Sequence, residues 1–108
     1  MKNLTKKQKK HLRSLGAKAY ETDLGRCIDK LFEKYTHWKN KEISVWDMNQ
    51  YIHEYHDEIS RNLYKSYTID DPIFQVAFGI QTGAIKLEDV EESCLDEVKR
   101  ILKYFEER

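Results

Sequence analysis

The stretch DPIFQVAFGIQTG (71–83) decides how the rest of the chain must fold. Asp71 before Pro72 is a helix start. The aspartate side chain can accept from the first free backbone N–H groups, and proline has no N–H to leave unsatisfied there. Gly83 supplies a natural stop. Between them Ile73, Phe74, Val76, Ala77, Phe78 and Ile80 leave almost no polar side. A helix that is apolar all round is usually buried. The pattern therefore predicts a central core helix at about 72–82, with other helices laid against it.

Downstream, Cys94, Leu95, Val98, Ile101, Leu102 and Phe105 form one stripe and predict a last helix over about 91–106. Upstream, Ser44 with Asp47 gives an N-cap signal for a helix running to about Tyr67, after a polar connector at 39–42. Thr5 with Gln8 has the spacing of a capping box and starts a helix at about Lys6. Leu12 and Leu15 share one side of it. The next apolar series (Ala17, Tyr20, Leu24, Cys27, Ile28, Leu31, Tyr35, Trp38) does not continue that side at 100° per residue. The change of face near Gly16 predicts a short basic helix at about 6–15 followed by a long one at about 17–40, or a single helix kinked there. A single proline and four glycines leave little chain for turns. The expected fold is all-α, a compact bundle of four to five helices. It forms one domain over 1–108, with a basic N-terminal helix or arm at about 1–16.

Composition narrows the function. Thirteen aromatics among 108 residues argue for a packed core rather than disorder. No apolar run approaches the roughly 18 residues of a membrane span, and the charged start lacks the apolar centre of a signal peptide. A cytoplasmic protein with no membrane partner is expected. Cys27 and Cys94 lack any CxxC pattern and read as small buried hydrophobes. The net charge of zero hides an asymmetry: residues 1–18 carry seven basic side chains and no acid, whereas the remainder carries 12 basic and 19 acidic ones. Lys6, Lys7, Lys9, Lys10 and Arg13 would put positive charge around most of the first helix, as non-specific phosphate binders do. The same charges would equally suit pairing with the acidic remainder, or plain solvation.

The 45–67 helix holds the most specific polar pattern. On a helical wheel Val45, Met48, Ile52, Ile59 and Leu63 form the apolar face, and His56 falls inside it. Asn49, His53, His56 and Ser60 follow one edge at spacings of four, three and four, with Asp57 and Tyr64 a little further round. Arg61 points roughly the opposite way. A buried imidazole costs about 1–3 kcal/mol for each unmet polar group. His56 should therefore find a partner on another helix, or a ligand. The candidate polar site is Asn49, His53, His56, Asp57, Ser60, Arg61 and Tyr64.

Metal chemistry finds little support. HEYH (53–56) spaces its histidines one residue short of the zincin HExxH. The repeated Glu-x-x-His of di-iron bundles is missing, and Glu33 and His37 lie off the apolar face of their helix. No metal ligand set, catalytic residue or cofactor is assigned. No glycine-rich phosphate loop, nucleophile elbow or repeated acidic pair is present, and Asp70-Asp71 read as turn and cap.

Two segments resemble known families. LTKKQKKHLRSL (4–15) looks like the opening helix of the CRM-type RNA-binding domain, whose strands and GKxG-like loop have no counterpart further along. ISVWDMNQYIHEYHDEISRNLYKSY (43–67) and DDPIFQVAFGIQTGAI (70–85) resemble a family of short bacterial proteins of unknown function. Its pattern of IHEFH, an Arg-x-Leu-Tyr step and a proline-started apolar helix falls here on Ile52–His56, Arg61, Leu63, Tyr64 and Pro72, with Tyr55 in place of Phe. That resemblance implies a self-contained helical protein and no particular activity. The leading expectation is a non-enzymatic protein-interaction or regulatory module, acting on a protein partner or by self-association. The alternatives are nucleic-acid binding through the basic segment, and a metal or small-molecule site at His53 and His56.

Overall fold

A computed structural model describes residues 3–107, so Lys2 of the basic segment lies outside the described residues. Every regular element among them is helical, and the fold is all-α as the patterning predicts. Helix α1 spans Lys6–Lys39. It is followed by α2 (Val45–Glu54), a π-helical turn (Tyr55–Ser60) and α3 (Arg61–Tyr67), which form one continuous rod. Helix α4 (Pro72–Gln81), a short 3-10 turn (Leu87–Asp89) and α5 (Glu92–Glu106) complete the chain.

The caps read from sequence are present. Thr5 and Gln8 exchange reciprocal backbone bonds at the start of α1, and Ser44 and Asp47 do so before α2. Asp71 accepts from the N–H groups of Ile73 and Phe74 at 3.0 and 3.3 Å. Gly83, at φ +80°, closes α4. Its N–H reaches the Ile80 carbonyl, and the Ala84 N–H reaches Gly79. Only a residue tolerant of the left-handed region makes this pair of bonds cheaply. Lys41, at φ 61°, closes α1 in the same way without that tolerance. There a hydrogen bond of 2.5 Å between His37 Nδ1 and Glu42 Oε2 spans the turn.

Helix α4 is the centre of the core. Val76 and Ala77 are fully buried, and they cluster with Leu12 and Ala19 of α1, Tyr67, Ile85, Val90, and Cys94 and Val98 of α5. Gly16 does not end α1, which continues through it to Lys39. It is buried against α4, where a Cβ would sit 2.9 Å from Gln75 Oε1 and 3.2 Å from Gln75 Cβ. The face of α1 changes along its length because its neighbour changes. Leu12 and Ala19 pack in the α4 cluster, whereas Tyr20 stacks on Tyr67 at the end of the rod. The periodicity therefore marks a change of partner, not a break in the backbone.

One buried polar cluster fixes where α4 stops along α1. The Asp23 carboxylate, 6% exposed, accepts from the Tyr67 hydroxyl and, at 2.7 Å, from Thr82 Oγ1. Arg26 lies 3.7 Å from Asp23 and donates to the carbonyls of Thr82 and Gly83 at 3.4 and 3.1 Å. Burial, and then the bond to Asp23, push the Tyr67 phenol well above its ordinary value of 10.0. A phenol whose pKa is raised on folding favours the protonated folded state. That stability is complete below pH 10 and is lost as pH rises beyond it. Denaturant midpoints measured across this range should fall for the wild type, with a shallower slope for Tyr67→Phe. An equal slope in the two would show that Tyr67 does not carry the effect.

Candidate functional site: a cleft at the π turn

Beyond the Asp23–Arg26 anchor α4 has ended, and α1 continues with α2 and the π turn as its neighbours. The molecule accordingly measures 54 × 24 × 20 Å, with a radius of gyration of 17.1 Å. A fully compact chain of this size would have a radius of about 13 Å. The packed part is the bundle around α4, and the α1–α2 hairpin accounts for the added length.

Between α1 and the rod the described residues leave a cleft of about 370 Å³. Its apolar floor comes from Cys27 and Leu31 on α1 and from Tyr51, Tyr55 and Ile59 on the rod, with Lys30, Lys34 and Glu54 also lining it. The Lys34 ammonium sits over the Tyr51 ring, 4.6 Å from its centre, as a cation–π contact in the cleft wall. Burial raises the Tyr55 phenol above its ordinary range, with Cys27 adding to the shift and a hydrogen bond with Ser60 opposing it.

The π turn contributes Tyr55 and Ile59 to this lining. A π turn bonds i to i+5, which puts one more residue into the turn. Tyr51, Tyr55 and Ile59 are spaced by four and all face the cleft. In an unbroken α-helix positions four apart advance by about 40°, so the three would still share one side, and the π turn draws Ile59 closer into line with Tyr51.

The structure redraws the predicted polar seam. Of the residues expected to face the core, Met48 is buried and Leu63 half-buried, whereas Val45, Ile52 and Ile59 are exposed. The His56 side chain is 78% exposed and pairs with its neighbour Asp57 at 3.2 Å. It therefore incurs no burial cost and requires no ligand to offset one. Asn49, His53, Arg61 and Tyr64 are also exposed, and Ser60 is half-buried beside Tyr55. These residues line the outside of the rod without converging on a shared space. Among the described residues no group of three or more His, Cys, Asp and Glu side chains is placed to hold a metal ion.

The basic segment is likewise not a loose arm. Leu12 is fully buried, Leu4 and Leu15 pack against the core, and His11 Nε2 accepts from the Glu91 backbone N–H at 3.0 Å. Lys6, Lys7, Lys9, Lys10 and Arg13 are exposed, and none forms an ion pair among the described residues. Cys94 is buried as expected, but Cys27 is half-buried in the cleft wall. No helix among the described residues is long and apolar enough to cross a membrane.

Sequence reasoning missed Asp23 and Glu97, the two buried acids, and the cleft itself. Asp23 lies three residues before Arg26 and Glu97 three before Arg100, a spacing that also suits exposed pairs, so it does not single them out. Compared with known proteins, the chain matches no protein-family model, no curated protein and no solved structure.

Proposed function

We propose that this protein is a non-enzymatic interaction module whose cleft receives an amphipathic helix of a partner protein. The observation that carries this reading is the open cleft, floored by aromatic and aliphatic side chains, where α4 ends and no third helix follows. A helix laid there would continue the line of α4 and shield Leu31, Tyr55 and Ile59 from water. Lys30 and Lys34 favour acidic residues on its flank. The π turn supports the reading too, since such turns are frequent at functional sites.

Site-specific photo-cross-linking in cells tests it. A photoreactive residue at Ile59 should give one discrete adduct with a different protein, lost when Leu31→Asp is added to the cleft wall. The same probe at exposed Asp96 on α5 should give none. No adduct from Ile59, or the same adducts from both positions, would remove the cleft as a binding site.

A second reading, nucleic-acid binding, is favoured by the unpaired basic face of α1. Deleting the segment would remove Leu4 and His11 from the packing, so neutralisation is the cleaner probe. Binding to mixed-sequence RNA and duplex DNA should weaken steeply with salt. Replacing Lys6, Lys9, Lys10 and Arg13 by Gln should then reduce the log–log salt slope by about 3–4. Absence of binding at low salt rejects this reading.

A further inference from the structure

We infer that α1 also carries a self-association surface, separate from the cleft, through which two copies pair with their α1 helices antiparallel. The observation is a stripe at residues 21, 25, 28, 32, 35 and 39, spaced alternately four and three, as in a coiled-coil seam. Ile28, Phe32 and Tyr35 are 48%, 64% and 43% exposed, and none of the stripe residues lines the cleft. Phe32 and Tyr35 stack at 6.2 Å, which gives the stripe a preformed aromatic surface.

The occupant follows from the symmetry of the stripe about position 30. In an antiparallel pair with its two-fold axis there, Ile28 of each copy meets Phe32 of the other, and Gly25 meets Tyr35. Glu21 meets Lys39. Each layer is a match: aliphatic with aromatic, the smallest residue with a large one, acid with base. Such a contact is isologous, so both copies use the same patch and the assembly closes as a dimer. At 1.5 Å per residue the seam is about 27 Å long.

Two features of the single chain fit this pairing. A Cβ built on Gly25 meets nothing within 4 Å, so packing within the chain does not require a glycine in the middle of this helix. A glycine there costs up to about 1 kcal/mol relative to alanine. A partner Tyr35 ring lying across it supplies the missing reason. Glu21 is exposed and has no ion pair among the described residues. A parallel pair would instead set Glu21 on Glu21 and Lys39 on Lys39.

Sedimentation equilibrium of the full chain tests the pairing. The wild type should sediment at twice 13.0 kDa. Phe32→Glu should weaken association roughly a hundredfold or more. Glu21→Lys or Lys39→Glu alone should weaken it about tenfold, and the double reversal in one chain should restore it. In a parallel pair the single reversals would leave the number of repulsive contacts unchanged. Gly25→Leu should raise helical stability yet weaken the dimer, which separates lost pairing from lost folding; circular dichroism monitors the fold of every variant. A monomer at all concentrations up to about 100 μM, or a dimer indifferent to Phe32→Glu and Gly25→Leu, overturns the inference. Cross-linking from Ile59 reports on the cleft and sedimentation on the stripe, so each reading can fail alone.

Discussion

Gly79→Ala is expected to destabilise the protein by about 2 kcal/mol, although alanine is the better helix former. A Cβ at position 79 would lie 2.5 Å from the Ala19 Cβ and 3.3 Å from Ile85 Cδ1 and Cγ1. Ala19 Cβ is fixed to the α1 backbone and cannot rotate away, so α1 and α4 would have to move apart. Overpacking of this kind costs about 1–3 kcal/mol, occasionally more, against a propensity gain of at most about 1 kcal/mol. The same change at Gly25 meets open space and should raise monomer stability by about 0.5–1 kcal/mol. Urea denaturation at concentrations where the chain is monomeric compares the two. Effects of the same sign would mean that the α1–α4 contact is not as close as described.

Leu12→Ala should cost about 3 kcal/mol. Leu12 is fully buried in the cluster around Val76, Ala77 and Val98, although it stands among the lysines of the basic segment. Removing its isobutyl group loses the transfer free energy of the side chain and leaves a cavity between helices that can close only in part. Lys10→Ala, two residues away in sequence but exposed, should change stability by less than about 0.5 kcal/mol. If residues 4–15 were an appended arm, both substitutions would be silent. Chemical denaturation of the two variants therefore decides whether the basic face is part of the fold. It also decides whether nucleic-acid tests by truncation would be interpretable at all.

Much of the fold was legible because its signals are local. The capping pairs Thr5–Gln8 and Ser44–Asp47, the Asp71-Pro72 start and the Gly83 stop each depend on residues within a few positions of one another. Their geometry is set by the hydrogen bonds a helix end lacks. The burial of α4 was equally readable, since a helix with no polar side has no stable place at the surface. Gly16 was misread for the opposite reason. A glycine that ends a helix and a glycine that lets two helices touch look alike until the second helix is placed.

The candidate site was less legible. The polar seam assumed one core-facing side from 45 to 67, whereas the core around α4 does not extend along α2, and the π turn at Tyr55–Ser60 also changes the rotation midway. It turns Ile59 toward Tyr51 and Tyr55, while His56 stands in solvent. Nothing in YHDEIS (55–60) announces the extra residue, because neither proline nor glycine is present. The surplus of aromatics was legible too, but not its placement: Phe32, Tyr35 and Trp46 are exposed on the hairpin.

By itself the sequence determined the helix ends, the all-α class and the identity of the central helix, through hydrogen-bond supply and hydrophobic pattern over short distances. Only the tertiary structure decided which faces those helices share. It stops α4 at Asp23 and Arg26, holds α1 unbroken through Gly16, and leaves the hairpin beyond without a third helix. Those outcomes depend on contacts between residues some 60 positions apart, such as Asp23 with Thr82 and Ala19 with Gly79. No periodicity within a single helix encodes them, because a helix exposes its pattern of residues but not the neighbour that will meet it.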